Sequence, residues 1–317
     1  MNLRLLRACV ASLALALAAC ASSQAASTSA MEAPYLYVLG TAQDGGYPQA
    51  GCFKPHCMPG WEREELRHPV VSLGLIDPQA RTKYLFEATP DFPRQFYLLE
   101  REAPAAKYAF GGVFLTHAHI GHYVGLVHFG HEVMGARDVP VYAMPRMRTF
   151  LSENGPWSQL VDYGNIALKP LEADAPVALG ELSVTPLRVP HRDEYSETVG
   201  FVIKGPRKSA LFIPDIDAWG KWDRGLAEVL KGVDYALVDA TFFSMDELPG
   251  RDMSKVPHPL VQHTMALLQD QPAAERAKVW FIHMNHGNPL LWPDSPQSRT
   301  VLRNGFNIAR EGLRLPL

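Results

Sequence analysis

No stretch of the sequence is rich in lysine and arginine, and the charges of the 317-residue chain nearly balance. Lys and Arg number 30 and Asp and Glu number 33, for a formal charge of −3. Nucleic acid is therefore not an expected partner, because it binds to basic stripes. Repeats and low-complexity tracts are also missing. Apolar residues make up 47% and charged residues 20%, which excludes a disordered, collagenous or coiled-coil chain.

Long apolar runs are missing too. Beyond the N-terminus no stretch approaches the roughly 18 uninterrupted apolar residues of a membrane-spanning helix. The first twenty residues carry Arg4 and Arg7, then an apolar run over 11–17, and then small residues that end at Cys20. This order is typical of a secretory signal, and its apolar run is too short to span a bilayer.

The end of this signal predicts where the protein resides. Residues 17–20, Leu-Ala-Ala-Cys, resemble the lipobox of bacterial lipoproteins, which implies a signal peptide over 1–19 and a lipid on Cys20. A plain signal cleaved near Ala26 is the alternative. Residues 20–33, rich in Ala and Ser, predict a flexible tether. We expect an exported protein that is a lipoprotein on the periplasmic face of a bacterial membrane, which we expect to be the outer membrane. A soluble periplasmic protein is the alternative.

Residues 34–317 contain no linker long enough to separate two domains, so we expect a single domain. Short β-rich runs recur along it, at 35–39, 70–76, 83–88, 113–116, 139–143, 182–189, 198–203, 209–213, 235–240 and 278–282. Helical patterns cover about 122–135, 145–153, 223–231, 259–270 and 297–304. The order predicts an α/β (α+β) fold with two sheets packed on each other and helices outside.

Three histidines follow an apolar strand directly. The segment Val113 to His122 reads VFLTHAHIGH. His117 and His119 are two residues apart, so an extended backbone projects both from the same side, and a turn at Gly121 brings His122 round as the next helix begins. Converging neutral imidazoles suit zinc, and also iron or manganese. The segment therefore predicts a metal site.

The segment HAHIGH, residues 117–122, resembles the HxHxDH signature of the metallo-β-lactamase superfamily. The resemblance implies a four-layer αββα sandwich with one or two metal ions at the open edge between its sheets. It also implies further ligands after later strands, and His191, Asp215 and His283 each follow a predicted strand in the expected order. It covers the chain from about residue 35.

The resemblance assigns a metal role to each of these side chains. His117, His119 and His191 are expected to hold one ion, whereas His122, Asp215 and His283 are expected to hold a second, with Asp215 bridging. The Asp of the signature is replaced by Gly121, which leaves the second site with three ligands. We expect His286 to be the substitute ligand or a catalytic residue there.

Within the superfamily the chain resembles the coenzyme PQQ synthesis protein B family. The matching stretches are 39–49, 88–91 and 282–291. Gly45 and Gly46 lie in the first of them and predict a tight loop near the metal cleft. Glu87 lies at the end of the predicted strand that leads into the second matching stretch, at a position where relatives carry an acid that supports the histidine loop. A strand-end acid that faces solvent is the alternative for Glu87.

Two cysteines and a histidine form a second group near the start of the domain. An exported protein favours a disulfide between Cys52 and Cys57. The resemblance implies instead a structural zinc site here, with His56 as a third ligand and His258 as a distant fourth. Both interpretations remain open from the sequence.

The site chemistry predicts a metal-dependent hydrolase. Three histidines with an open fourth position are typical of catalytic zinc, which makes hydroxide available at neutral pH. That metal-bound hydroxide would attack a small ester, amide, lactone or phosphodiester, with Asp215 as the candidate proton acceptor. One alternative is a non-haem iron oxidoreductase related to coenzyme PQQ synthesis protein B. Another is a noncatalytic binding protein with a degenerate metal site, suggested by Gly121.

Overall fold

The protein is represented by a computed structural model that describes residues 33–317, except Pro249, Arg251 and the side chain of Ser254. The expected signal peptide, the expected lipid site at Cys20 and nearly all of the expected tether lie outside these described residues. Within 33–317 the chain forms one compact unit.

Two mixed β-sheets form the centre of the fold. The first has the strand order β14-β1-β2-β3-β4-β5-β6 and the second has the order β13-β12-β11-β10-β9-β8-β7. The strands are β1 (Tyr35–Gly40), β2 (Ser72–Asp77), β3 (Thr82–Phe86), β4 (Ala109–Phe114), β5 (Val139–Ala143), β6 (Ile166–Pro170), β7 (Val177–Leu179), β8 (Leu182–Arg188), β9 (Val199–Lys204), β10 (Ser209–Ile213), β11 (Tyr235–Asp239), β12 (Val279–Ile282), β13 (Asn307–Ile308) and β14 (Arg314–Pro316).

Each sheet has an antiparallel part and a parallel part. Strands β3 to β6 pair in parallel in the first sheet, and strands β10 to β13 do so in the second. The other neighbours pair antiparallel. Because the carboxyl ends of parallel strands meet at one edge, the loops after them are brought together there.

Alternation along the strands divides the apolar side chains between three layers of core. In β4, Phe114 faces the second sheet, whereas Val113 packs on the outer face with the helices of the first sheet. In β10, Phe212 likewise faces inward, whereas Leu211 packs outward. Successive side chains of a strand point to opposite faces of its sheet, so a strand that is buried on both faces supplies apolar side chains to two layers of core. The result is helix, sheet, sheet and helix, so the four-layer αββα sandwich is confirmed.

Helices cover the outer faces of both sheets. They are α1 (Met58–Glu62), α2 (Phe92–Glu102), α3 (Ile120–Tyr123), α4 (Pro145–Glu153), α5 (Trp157–Asp162), α6 (Leu226–Leu230), α7 (Val261–Leu267), α8 (Ala273–Arg276) and α9 (Pro296–Arg303). In the part of the chain that the structure describes, none of the helices has the length and apolar character to cross a bilayer.

The helix predicted over 122–135 is shorter in the structure. The α-helical part ends at Tyr123 and a 3₁₀ segment continues over Val124–Phe129. The loop after β3 causes this break, because Ala88 N–H donates to the His122 carbonyl (2.9 Å) and Gly125 N–H donates to the Ala88 carbonyl (2.8 Å). The backbone groups of an α-helix are thereby used in a tertiary contact, which also joins His122 to the end of β3.

Candidate metal centre

The predicted ligands all follow strand ends on the same edge of the sandwich. His117 and His119 follow β4, His191 follows β8, Asp215 follows β10 and His283 follows β12. The strands belong to both sheets, so the loops approach one another from two sides. Segments more than 160 residues apart in the chain, such as those of His117 and His283, therefore meet at a single site.

The structure brings His117, His119 and His191 together. One ligand atom from each lies within 4.8 Å of the other two. Nε2 of His117 is 2.8 Å from Nδ1 of His119, and the His191 ring centroid is 5.3 Å from that of His117 and 5.0 Å from that of His119. This is the arrangement of rings that the first metal site requires.

Asp215 lies at the centre of the remaining rings. Its Oδ2 is 2.9 Å from His122 Nε2, 3.3 Å from His283 Nε2 and 3.8 Å from His117 Nε2. Its Oδ1 is 3.8 Å from His191 Nε2. The carboxylate thus faces histidines of both predicted sites, which is the position of a bridging ligand.

A partner behind each of four rings fixes which nitrogen faces the centre. These partners contact Nδ1, so that Nε2 points inward, and such support is typical of metal-ligating histidines. The pairs are His117 with Thr116 Oγ1 (2.8 Å), His122 with Glu87 Oε2 (3.3 Å), His191 with Asp217 Oδ1 (3.2 Å) and His283 with Thr241 Oγ1 (2.9 Å).

Burial and neighbouring charge separate the pKa values of these groups. Burial lowers the pKa of His117 well below its ordinary value, and repulsion from His122 adds to this. Burial also opposes the charged form of His122, but Asp215 outweighs it and raises the pKa of His122 well above its ordinary value. Burial alone would raise the pKa of Asp215. The attraction of the His283 ring, and then that of the His122 ring, outweighs burial and holds the pKa of Asp215 well below its ordinary range.

Several buried polar atoms at this centre have no hydrogen-bond partner among the residues that the structure describes. They include Asp215 Oδ2 and His283 Nε2, which face each other at 3.3 Å. Unpaired buried polar atoms cost free energy, and a converging set of imidazoles and carboxylates is the donor chemistry of zinc and similar ions. The residues present therefore fit a metal ion, and the site supports a metal cofactor.

Asp44 belongs to this centre, although no role was predicted for it from the sequence. Its Oδ1 is 3.1 Å from His122 Nε2 and 3.7 Å from His283 Nε2. Burial favours the neutral acid, but the hydrogen bond with His122 and the nearby ring of His283 hold the pKa of Asp44 far below its ordinary value. A signal was present in the sequence, because Asp44 lies in the matching stretch 39–49.

His258 is also brought to the centre, rather than to the cysteines where it was expected as a fourth ligand. Its Nδ1 is 2.8 Å from Asp239 Oδ2 and 3.6 Å from Asp215 Oδ1. Burial lowers its pKa, but Asp239 outweighs this and raises the pKa to about 9. His258 does not directly follow a strand end. The pattern of a strand followed by a ligand, which identified the other residues in the sequence, therefore did not predict its position at the metal centre.

Glu87 is completely buried, so its alternative as a solvent-facing acid is wrong. Its Oε1 accepts a hydrogen bond from Thr116 N–H (3.2 Å), at the start of the histidine loop. Burial raises its pKa above the ordinary value. The backbone of Glu87 has φ +72° and that of His283 has φ +67°, a left-handed conformation that costs non-glycine residues energy and is concentrated at functional sites.

His286 lies in a different group from the one the sequence analysis expected. It stacks on His56 with ring centroids 5.7 Å apart, and ligand atoms of Cys52, His56, Cys57 and His286 lie within 4.8 Å of one another. The structure has a disulfide between Cys52 and Cys57. Besides Asp215, the carboxylate near His122 and His283 is that of Asp44, and the proposed role of His286 as a substitute ligand stays a prediction.

A cavity of about 770 Å³ opens beside the metal centre. Asp44 and His258 line it from the metal side, and Ile120 and Arg192 line it from the histidine loops. A pocket of this size with a few converging polar groups is suited to a small molecule.

Comparison with known proteins agrees with this architecture. Residues 82–284 match the family described as Beta-lactamase superfamily domain. Coenzyme PQQ synthesis protein B of Methylobacterium sp. (strain 4-46) is 27% identical over 305 residues, which cover 88% of this chain and 99% of that protein.

Solved structures show the same fold. The crystal structure of Zn(2+)-bound PqqB from Methylobacterium extorquens has a TM-score of 0.75 at 22% identity, covering 89% of this chain and all of that one. A diphosphatase from the PhnP family has a TM-score of 0.65 at 20% identity, covering 90% and 97%. The prediction of a metallo-β-lactamase fold similar to coenzyme PQQ synthesis protein B is confirmed, and the chain belongs to the beta-lactamase superfamily.

Proposed function

We propose that this protein is a metal-dependent hydrolase of a small ester, amide, lactone or phosphodiester. The observation that carries the proposal is the convergence of four imidazole Nε2 atoms on the Asp215 carboxylate, beside an open cavity. Membership of a superfamily whose members are generally hydrolases supports it. Zinc is the ion we propose, since the PqqB structure of the same fold is bound to Zn(2+).

The residues around the centre have distinct roles in this proposal. A bound ion would supply a nucleophile at neutral pH, by lowering the pKa of water to about 7, and a Lewis acid for a carbonyl or phosphoryl oxygen. The Asp215 carboxylate faces the Nε2 atoms of four imidazoles, which is the position of a metal ligand. We therefore assign Asp215 to ligation. His258, which lines the cavity, would donate a proton to the leaving group.

The test combines metal analysis with a substrate panel. We expect wild-type protein to retain zinc after mild purification and to hydrolyse at least one class among esters, amides, lactones and phosphodiesters. His117→Ala should lose both the metal and the hydrolysis. His258→Gln should retain the metal but turn over at least about 100-fold more slowly, as expected for loss of a general acid.

His131→Ala is the matched control, because His131 is an exposed histidine. It should retain metal and activity. Hydrolysis that persists in His117→Ala without bound metal would contradict the proposal, as would a wild-type protein that binds metal but hydrolyses no member of the panel.

A non-haem iron oxidoreductase is the second candidate. The similarity to coenzyme PQQ synthesis protein B over nearly the whole length of both chains favours it. Imidazole and carboxylate ligands also suit iron. Protein reconstituted anaerobically with Fe(II) should then consume oxygen in the presence of a phenolic or amine substrate, whereas the zinc form should not.

We also propose that the protein is exported and held to a membrane surface by a lipid on Cys20. The Arg-containing start, the short apolar run and the sequence Leu-Ala-Ala-Cys at 17–20 support this. Cys20→Ala should move the protein from the membrane fraction to the soluble or unprocessed fraction. Unchanged fractionation and mass would contradict lipidation.

A further inference from the structure

Asp44 presents a carboxylate to two ring nitrogens that are otherwise free to bind an ion. Both His122 and His283 have a polar neighbour behind Nδ1: Glu87 Oε2 lies 3.3 Å from His122 Nδ1, and Thr241 Oγ1 is hydrogen-bonded to His283 Nδ1 (2.9 Å). Their Nε2 atoms therefore face inward, where Asp44 Oδ1 lies 3.1 Å from the first and 3.7 Å from the second. Ligand atoms from these three side chains lie within 4.8 Å of one another.

The backbone fixes Asp44 in this place. Gln43 N–H donates to the Met284 carbonyl (2.8 Å) and Met284 N–H donates to the Thr41 carbonyl (2.8 Å). The Asn285 side-chain amide donates to Gln43 Oε1 (2.8 Å). The loop that carries Asp44 is thus paired with the residues that directly follow His283. The two side chains are positioned by one set of hydrogen bonds, which pre-organises a shared site.

Gly121 leaves the space that this loop occupies. A Cβ atom at position 121 would lie 2.5 Å from Asp44 Cα and 2.5 Å from Asp44 Oδ1. Since one of these neighbours is backbone, a side chain at position 121 and this position of Asp44 exclude each other. The glycine that removes a carboxylate from the histidine loop is therefore the residue that admits a carboxylate from the loop after β1.

An independent feature points to an ion at this place. His283 is fully buried, and within the described part of the chain its Nε2 has no hydrogen-bond partner, although it faces both Asp44 and Asp215. Asp215 Oδ2, also buried, lies 3.3 Å from His283 Nε2 and 2.9 Å from His122 Nε2, but in neither case with hydrogen-bond geometry, and it bonds to none of the described residues. Two unpaired buried atoms directed at one point are expensive unless something binds there.

We propose that Asp44 is a ligand of a second divalent metal ion, held together with His122, His283 and Asp215. The inference rests on the metal centre of the proposed function and adds a second ion to it. Gly121 is then not the mark of a degenerate site, because the carboxylate it lacks comes from another loop. Since Asp44 also lines the cavity, the second ion would be within reach of a bound substrate.

The test measures the zinc stoichiometry of the full chain. Metal-free protein is equilibrated with buffered zinc under non-reducing conditions, so that the Cys52–Cys57 disulfide cannot release thiols, and bound zinc is measured by mass spectrometry. Wild-type protein should bind two ions per chain and Asp44→Asn should bind one. The dissociation constant of the second ion should rise by at least about 100-fold in the variant. Loss of a residue that only supports a ligand weakens metal binding by about 10- to 100-fold, so a larger effect indicates loss of a ligand.

The control variant is Asp193→Asn, because Asp193 is an exposed acid on the loop after His191. It should bind two ions, and circular dichroism should show all variants folded. Gly121→Ala is a second probe that leaves every ligand present. It should also lose the second ion, because its Cβ displaces the Asp44 loop.

The outcomes separate this inference from the proposed function. A wild-type protein that binds a single ion, or an Asp44→Asn variant that still binds two with unchanged affinity, would overturn the inference and leave the hydrolase proposal standing. A wild-type protein that binds no zinc would overturn both. Manganese titration followed by electron paramagnetic resonance is the second readout, since two nearby ions give a spin-coupled signal that Asp44→Asn should abolish.

Discussion

Individual polar residues behind the metal centre determine how its rings are oriented. Glu87 illustrates this, since it contacts His122 Nδ1 through Oε2 and the Thr116 N–H through Oε1. One carboxylate therefore fixes both a ring and the start of the loop that carries the other histidines. With an ion bound, a charged Glu87 carboxylate would also increase the electron density of the His122 ring.

We expect Glu87→Gln to weaken zinc binding by about 10- to 100-fold with little change in shape. The amide retains the size of the side chain but loses the charge that supports His122. Competition with a chromophoric chelator measures the affinity. Glu153→Gln, an exposed acid on α4, should bind zinc as wild type does. An unchanged affinity in Glu87→Gln would show that the buried charge has no role in ligation.

Glu247 is a partly buried acid in the loop after β11. Ser244 N–H donates to its Oε1 (2.8 Å), as does Phe243 N–H, while its Oε2 is buried and has no hydrogen-bond partner in the described parts of the chain, which leave out residues 249 and 251. Burial outweighs these two donors and raises its pKa to about 7. The folded state therefore holds this proton more tightly than the unfolded chain, whose Glu titrates near 4.3.

The raised pKa of Glu247 makes the stability of the protein depend on pH. The contribution of Glu247 to stability is fully present below about pH 4.3 and is lost as the pH rises through about 7. Glu247→Gln cannot ionise, so its stability relative to wild type should increase between pH 5 and pH 8, by on the order of 1 kcal/mol after allowance for partial exposure. Urea unfolding at several pH values measures this. A difference that is independent of pH would contradict the assignment.

The secondary-structure elements hold the two halves of the metal centre at a fixed separation. Aromatic side chains fill the space between the sheets: Phe114 of β4 stacks on Phe86 of β3 (5.1 Å between ring centroids) and meets Phe201 of β9 edge to face (5.9 Å). Three residues beyond Phe114 the same strand leads to His117. The packing that joins the sheets is thus continuous with the loop that carries the ligands.

We expect Phe114→Ala to lower the free energy of unfolding by about 3–5 kcal/mol, the usual cost of a large cavity in a core. Phe114 is fully buried, so the lost contacts cannot be replaced by water. Denaturant unfolding checks the value. Tyr97→Ala on α2, where the side chain is 61% exposed, should change stability by less than about 0.5 kcal/mol. Equal effects would mean that the inter-sheet layer is loosely packed.

In the molecule as a whole, the metal centre joins segments that are distant in the chain. Five separate segments, each following a strand of one of the two sheets, supply Asp44, His122, His191, Asp215 and His283. An unfolded chain does not present these groups together, so an ion bound here stabilises only the folded state. The centre should therefore contribute to stability as well as to chemistry.

Removal of metal by a chelator should consequently lower the midpoint of thermal unfolding. If free zinc is about 1,000 times its dissociation constant, the loss is about 4 kcal/mol, or roughly 10 °C for a domain of this size. Differential scanning calorimetry with and without chelator measures it. His117→Ala should respond much less to the chelator. An equal response in that variant would place the stabilising ion elsewhere.

The strand ends and their ligands were predictable from the sequence because the signals are local. His117 and His119 follow an apolar strand at a spacing of two, and His191, Asp215 and His283 each follow another apolar run. Strands β6, β7, β13 and β14 escaped prediction because they are short or partly exposed, so their apolar pattern is weak. The α-helix over Phe92–Glu102 was also missed.

The places of Asp44 and His258 depend on contacts between distant segments, which a local pattern does not encode. The Asp44 loop is positioned by hydrogen bonds to residues more than 240 positions later in the chain. His258 is held by Asp239, the last residue of β11. The sequence by itself determined the family, the layers and the histidines, because alternation and strand-end motifs are local properties of a chain. Only the tertiary structure decided that a glycine at position 121 leaves room for a carboxylate from position 44, because that exclusion is steric and exists only once the loops have packed.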